Sequence, residues 1–465
     1  MVCNGGGRTD ASSNGRELNL SANNLPLISF DNPATLGMAT WLAMFFSILI
    51  WSQSNLGAGE LGDSTNYYRI VLVLFAAAGS IVTLVKNYQR LRDVFSGPLM
   101  LLLIYALVAL LSSAYVPEHA FYSMWKSAEI LVDILVIAAI MSYDFPQNSA
   151  RSAYLMLPIL YGVLVIVYLV EAAMMPSLAF QVSRGYLSLY MSGVLPVMAQ
   201  NALAFLSAVC AFALICRLSR PGNIAIKSAS LVMLGLALAT LILAQSRTSI
   251  AALALALMVY FLFDRRFKLL SALAVVCILV GIYTSSYEVS YQYLLRGQDV
   301  HLVTTLSGRT EGWEKAWLAF QEAPITGHGF AAFARVNILG TAGMSSMHGA
   351  IFDVLVGTGL MGFIPWAGAI LWTFLRLFTL TFSRHPWFES EAGRSIHAEM
   401  MGIAMLILIR ASTSSGLALH QDNFMLFLTV LAYVTTMRRA VESGIPDEIT
   451  APRPDRARIH VLGKA

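Results

Sequence analysis

Ionisable side chains set into apolar sequence are costly, so each one in such a setting is a candidate for chemistry. Arginine dominates the inventory. Arg184 lies in a polar break, and Arg247 sits in Gln245-Ser246-Arg247-Thr248-Ser249 between two apolar runs. Arg309 follows Ser307-Gly308 in a long polar stretch, and Arg410 ends an apolar run. His348 with Asp353, and His420 with Asp422, open apolar runs. Lys126, Glu129 and Asp133 are spaced by three and four, which lines them along one helix face. The planar donor fork of arginine suits phosphate and diphosphate. A histidine beside such a site suits removal of a proton from a hydroxyl near neutral pH. Zinc-protease, Walker-loop and nucleophile-elbow motifs are missing, so hydrolysis by a metal or a serine triad has no support. Cys3, Cys210, Cys216 and Cys277 have neither metal nor disulfide spacing. The pattern calls for no metal and no cofactor.

The elements that must position these groups are apolar helices. Hydrophobic residues make up 57% of the chain and charged residues only 12%, against about 25% charged in a soluble domain. The apolar residues fall in continuous runs near the roughly 20 residues a membrane span needs. Expected spans are Ala34–Ser54, Tyr67–Val85, Gly97–Tyr115, Met124–Ser142, Ala153–Met175, Val194–Cys216, Ala225–Ala244, Ser249–Phe263, Leu269–Ser285, His348–Leu377, Ile396–Ala411 and Leu419–Thr436. The expected fold is an all-α, polytopic membrane helix bundle of about 12 transmembrane helices. One long extracytoplasmic loop joins spans nine and ten. Residues 1–33 read as a disordered cytoplasmic tail, 34–438 as the transmembrane domain with that loop at 286–347, and 439–465 as a cytoplasmic tail.

Loop charges set the orientation. Lys86, Arg90, Arg92, Arg217, Arg220, Lys227, Arg265, Arg266, Lys268, Arg384, Arg394, Arg438 and Arg439 fall on one side if the spans alternate. By the positive-inside tendency that side is cytoplasmic. The membrane-depth charges then gather near the outer interface. A polar cavity open to the exterior accounts for them better than snorkelling alone. Trp313 and Trp317 suggest an amphipathic helix in the outer loop. Gly357-Thr358-Gly359-Leu360-Met361-Gly362 matches the dinucleotide fingerprint, but no strand precedes it. Close helix packing through small residues is the better reading. The net charge of +4 gives no reason to expect a nucleic-acid partner.

Three segments together resemble the O-antigen ligase and polymerase superfamily, with the strongest likeness to exopolysaccharide polymerases. They are Gln245-Ser246-Arg247-Thr248-Ser249; Leu306-Ser307-Gly308-Arg309-Thr310-Glu311-Gly312-Trp313 with Pro324-Ile325-Thr326-Gly327-His328-Gly329-Phe330; and His348 with Asp353 to Gly362. The family usually has His-Asn where this chain has His348-Gly349. The resemblance implies a bacterial inner (plasma) membrane glycosyltransferase with its active site facing the periplasm. It implies a glycan donor on undecaprenyl diphosphate and, as acceptor, a glycan or, for a ligase, lipid A-core. Arg247 and Arg309, with Arg184 as an extra contact, would hold the diphosphate. His348 would be the general base of an inverting transfer, with His328 and His420 as rivals. Lys126, Glu129, Asp353 and Arg410 would line the cavity. A secondary transporter is the alternative from another class, and would call for inverted repeats and broken helices at the midplane.

Overall fold

A computed structural model describes residues 34–51, 64–116, 119–143, 146–182, 189–286, 309–331, 349–414 and 416–443. Its long helices are α1 (Ala34–Ile48), α2 (Ser64–Lys86), α3 (Pro98–Ser112), α4 (Ala120–Met141), α5 (Pro146–Met174), α6 (Gln200–Leu218) and α7 (Ile224–Leu243). There follow α8 (Arg247–Phe263), α9 (Phe267–Ser286), α10 (Arg309–Glu322), α11 (Ala350–Leu380), α12 (Glu391–Ala411) and α13 (Asp422–Ser443). Among the described residues, seven helices are long and apolar enough to cross a membrane: α2, α3, α5, α6, α7, α11 and α12. Parts of α1, α8 and α9 form shorter apolar helices. The molecule is a helical membrane bundle.

Apolar sequence forms helices here because a helix satisfies its own backbone where water is absent. Side-chain burial then sorts the helices. On α13 the run from Phe424 to Leu428, then Val430, Leu431 and Ala432, is fully buried. This helix is the core of the bundle, packed on α1, α4, α5, α11 and α12. Conversely, α9 leaves Val275, Ile278, Leu279 and Ile282 exposed, an apolar surface suited to lipid. The strongest pairings are α8 with α12, α11 with α3, α1 with α2 and α6 with α7.

Two departures from the expected all-α layout lie between α5 and α6. Strands β1 (Phe180–Val182) and β2 (Leu189–Met191) form an antiparallel pair, Phe180 opposite Met191. The sixth span, expected from Val194, becomes helical only at Gln200. The amides of Val197 and Met198 donate instead to Ile50 O and Gly193 O, and the Glu171 carboxylate accepts those of Val194 (2.9 Å) and Leu195 (2.8 Å), holding the turn before them. Amides committed outside the helix in this way delay its start.

The most consequential feature is a break in α11. Gly359 has φ 59° and ψ −160°, far from helical. Among the helical hydrogen bonds that span Gly359, the break removes those from Leu360 to Val356 and from Met361 to Gly357. All four stranded groups find partners in the segment Pro324 to Gly329. Leu360 N donates to Pro324 O (2.9 Å) and Met361 N to Ile325 O (3.1 Å). Val356 O accepts from His328 N (2.8 Å) and Gly357 O from Gly329 N (2.9 Å). Four buried groups left without partners would cost roughly 4–12 kcal/mol in total, as much as an ordinary domain's whole stability. The segment and the helix must therefore form together.

Glycine makes this approach possible. A Cβ on Gly327 would sit 2.6 Å from the backbone of Gly357 and Gly359, and one on Gly359 would sit 2.4 Å from Ile325 O. The glycines expected to pack helix on helix instead admit an irregular strand of backbone into a helix.

Two glycine substitutions should therefore behave in opposite ways. Gly359→Ala adds a methyl at a positive φ and against a carbonyl, and is expected to lose ~2–4 kcal/mol of stability. Gly235→Ala, on α7 with nothing within 4 Å of the new Cβ, should be neutral or slightly stabilising. Thermal denaturation of the two purified variants in detergent checks this; equal midpoints would contradict the packing described.

Candidate functional site

Arg247 is the first residue of α8, and the turn before it is held in place from outside. Gln245 adopts φ 52° and donates its side-chain amide to Leu189 O of β2 at 2.8 Å. Ser249 donates to the Ser246 hydroxyl at 3.1 Å. The turn is thereby fixed to the hairpin. Arg184 falls between β1 and β2, outside the described residues, as does His348.

Arg309 is the first described residue of α10. Gly312, Ala316 and Ala319 bury the small face of this helix against α11, while Trp317 is exposed. One turn after Arg309, Trp313 stacks on Phe352 of α11 with ring centroids 5.7 Å apart. The Trp313 indole also explains Gly349, the residue after His348. A Cβ at Gly349 would approach Trp313 Nε1 to 3.2 Å and Phe352 Cδ2 to 3.4 Å.

The two arginines come together. Arg309 lies within electrostatic reach of Arg247, and burial first, then this like charge, pulls its guanidinium below the ordinary value. Arg410, in the last turn of α12, is within reach of both Arg309 and Asp422. Its guanidinium lies over the Phe205 ring, 5.4 Å from the centroid, a cation–π contact. Tyr161 of α5 lies near Asp422. Among the described residues, the Tyr161 hydroxyl, Arg410 Nε and Asn423 Oδ1 are buried polar atoms with no hydrogen-bond partner.

Helix electrostatics separate the roles of these charges. Arg410 near a helix C-terminus and Asp422 in a first turn each complement the local dipole. Arg247 does the reverse, placing a cation on a positive helix N-terminus. Amide donors at such a helix start favour an anion, while Glu311, two residues after Arg309, adds a carboxylate on α10. Arg309 has Arg247 and Arg410 within electrostatic reach, with Asp422 beside Arg410.

Asp353 is buried in the first turn of α11, beside Tyr105. Lys126 and Glu129 do come together, but in an ion-pair network. Glu129, fully buried, accepts from Lys126 (2.8 Å), Trp125 (2.9 Å) and Arg69 (3.1 Å). Asp133 pairs instead with His420, at 2.7 Å. Arg69 is absent from the candidates drawn from sequence, although an arginine inside an apolar run is a visible signal. Ser47, Tyr105 and Tyr161 carry no such signal, because polar side chains of their kind are common in apolar helices.

Two histidines are committed elsewhere. The His328 ring meets the Ala319 carbonyl at 2.7 Å; a carbonyl only accepts, so Nε2 carries the proton. His420 has both ring nitrogens engaged and buried, against Asp133 and Ser47. Among the described residues no group of three or more His, Cys, Asp or Glu gathers as a metal site would.

Fold and site together describe a helical membrane protein with arginines gathered at one end. Residues 232–367 match a family model described as O-antigen ligase. The match supports membership of the O-antigen ligase and polymerase superfamily. It spans Arg247, Arg309, His348, Asp353 and the α11 break, and leaves out Arg184, Arg410, His420 and Asp422. No curated protein matches the chain.

The Glu129 network gives a test of site against scaffold. Glu129→Gln leaves Lys126 and Arg69 without their shared carboxylate and is expected to cost ~3 kcal/mol or more. Reduced accumulation of the variant in membranes is the expected result. Normal accumulation with activity lost would instead make Glu129 part of the reacting site.

Proposed function

We propose that this protein is a membrane glycosyltransferase that polymerises glycan units carried on undecaprenyl diphosphate into an exopolysaccharide or O-antigen. The convergence of Arg309 with Arg247, at a helix N-terminus, and with Arg410 carries the proposal. A diphosphate diester bears two negative charges, which suits three arginines tempered by Asp422. In the reaction, His348 takes the proton of an acceptor hydroxyl. The acceptor oxygen attacks the anomeric carbon, and the bond from that carbon to the diphosphate oxygen breaks. The electron pair leaves on undecaprenyl diphosphate, where the arginines stabilise the growing charge. Attack from the face opposite the leaving group inverts the anomeric configuration. This chemistry needs no metal and no nucleotide sugar.

The proposal includes the topology: about twelve spans, both termini cytoplasmic, and the arginine cluster at the periplasmic face of the bacterial inner membrane. The seven long apolar helices support it, with α1, α8 and α9 as short spans and the 22-residue α4 and α13 buried among them. A 17-residue helix such as α8 rises about 26 Å, a few ångströms short of the roughly 30 Å core, which costs fractions of a kcal/mol per ångström.

The same donor chemistry serves an O-antigen ligase that moves finished glycan to lipid A-core, and ligase is the activity in the matching family's description. A broken helix is also a feature of secondary transporters. Here the break lies at Gly359, in the first third of α11, and the groups of Val356, Gly357, Leu360 and Met361 are taken by Pro324 to Gly329 rather than left for an ion, which speaks against transport.

The test is polysaccharide analysis in a deletion strain carrying variants. Polymerase function predicts single unpolymerised units in the deletion; full-length chains stranded on the lipid carrier would point to the ligase. His348→Ala should abolish transfer, since a general base contributes about 10²–10⁴-fold. Arg247→Lys should lose about 10²-fold, because a point charge does not replace the bidentate fork. Normal chain length in either variant, at normal protein levels, would remove that residue from the mechanism.

A further inference from the structure

The connection between α12 and α13 is held unusually firmly. Four helices reach into it. Tyr105 of α3 donates to Ala418 O at 2.9 Å, and Trp366 of α11 donates to Leu417 O at 3.1 Å. Asp133 of α4 meets His420 Nδ1 at 2.7 Å, and Ser47 of α1 meets Nε2 at 2.9 Å. The Asp133 and His420 side chains are completely buried. Neighbouring charge belongs to the same cluster: Arg69 donates to Ser47 O at 2.8 Å and to Glu129, which also holds Lys126.

The order Asp133, His420, Ser47 is that of a serine hydrolase relay, but the chemistry is not available. Ser47 is fully buried, and its hydroxyl donates to Met44 O at 2.7 Å. No substrate reaches it, and its proton points back into its own helix. The chain is a clamp. What it clamps is the short connection that begins after Arg410 and ends at Asp422, with Arg410 within electrostatic reach of both Asp422 and Arg309.

We infer that His420 is a positioning residue for the arginine site: gripped by Asp133 and Ser47, it fixes the connection that sets Arg410 and Asp422 opposite Arg309. The inference rests on the diphosphate reading of that site. His420 does not touch the substrate. It acts through Arg410, so its loss weakens diphosphate binding rather than the bond-making step.

The experiment uses the full-length protein in detergent, with farnesyl diphosphate as a short lipid diphosphate probe, followed by turnover of a lipid-linked donor. The paired change Asp133→Asn with His420→Asn removes both buried charges together, so that neither is stranded. Its affinity for the probe is expected to fall about tenfold, as should that of Arg410→Ala, and the two should not multiply when combined, the mark of residues acting as one unit. With donor, KM should rise by the same factor while kcat stays within about threefold, the pattern of lost binding. Ser47→Ala, a milder change, should weaken probe binding in the same direction, and supports the inference even if the paired variant fails to accumulate.

Unchanged probe affinity in both the paired variant and Ser47→Ala overturns the inference, and so do losses that multiply with Arg410→Ala. A collapse of kcat at unchanged KM also overturns it, making His420 the base. Wild-type protein that neither binds the probe nor turns over donor overturns the functional reading itself, and the inference with it. That result is seen before any variant is compared, so the two failures are distinguishable.

Discussion

Two missing hydrogen bonds in α11 organise the working end of this protein. A helix interrupted in an apolar bundle has no water to satisfy the freed amides and carbonyls. Here the carbonyls of Val356 and Gly357 and the amides of Leu360 and Met361 are all taken by Pro324 to Gly329. That inserted backbone is also where the other motif elements attach. His328 meets Ala319 at the end of α10, and Phe330 N donates to Ser112 at the end of α3 at 2.9 Å. With Trp313 stacked on Phe352, α10 is stitched to α11 at both of its ends. Arg309 is thus carried by a helix whose place is set by the break.

Charge placement follows from that frame. Arg247 is held on a helix N-terminus, against the preference of the local dipole, with Arg309 within electrostatic reach. Arg410 and Asp422 satisfy their own helix ends. Scaffold and site can be told apart in this way at equal burial. Glu129 with Lys126 and Arg69 closes on itself, whereas near the arginines the Tyr161 hydroxyl, Arg410 Nε and Asn423 Oδ1 are buried without hydrogen-bond partners among the described residues.

Much of this is legible in the sequence, for a physical reason. Apolar runs reveal membrane helices because the bilayer demands them, and a charge beside such a run is conspicuous. Arg247, Arg309, Arg410 and Asp422 are visible on those grounds. Lys126 and Glu129 are visible too, and their spacing of three gives the pair. The partnership of Asp133 with His420 is not, because 287 residues separate them and either could pair with other groups. Least legible is the insertion of Pro324 to Gly329 into α11. Backbone hydrogen bonds leave no side-chain signature beyond the glycines that permit close approach, and Gly357 and Gly359 read equally well as helix-packing residues. The delayed start of α6 is hidden for a similar reason: Val197 N donates to Ile50 O, and Glu171 holds a turn 23 residues away.

The most direct test is reconstitution of the purified protein in liposomes with a donor glycan on undecaprenyl diphosphate, in chelator and without nucleotide sugar. A glycosyltransferase of the kind proposed releases free undecaprenyl diphosphate together with a lengthened lipid-linked glycan. Donor that remains intact in the presence of acceptor, while the same liposomes take up a solute against an ion gradient, would contradict it.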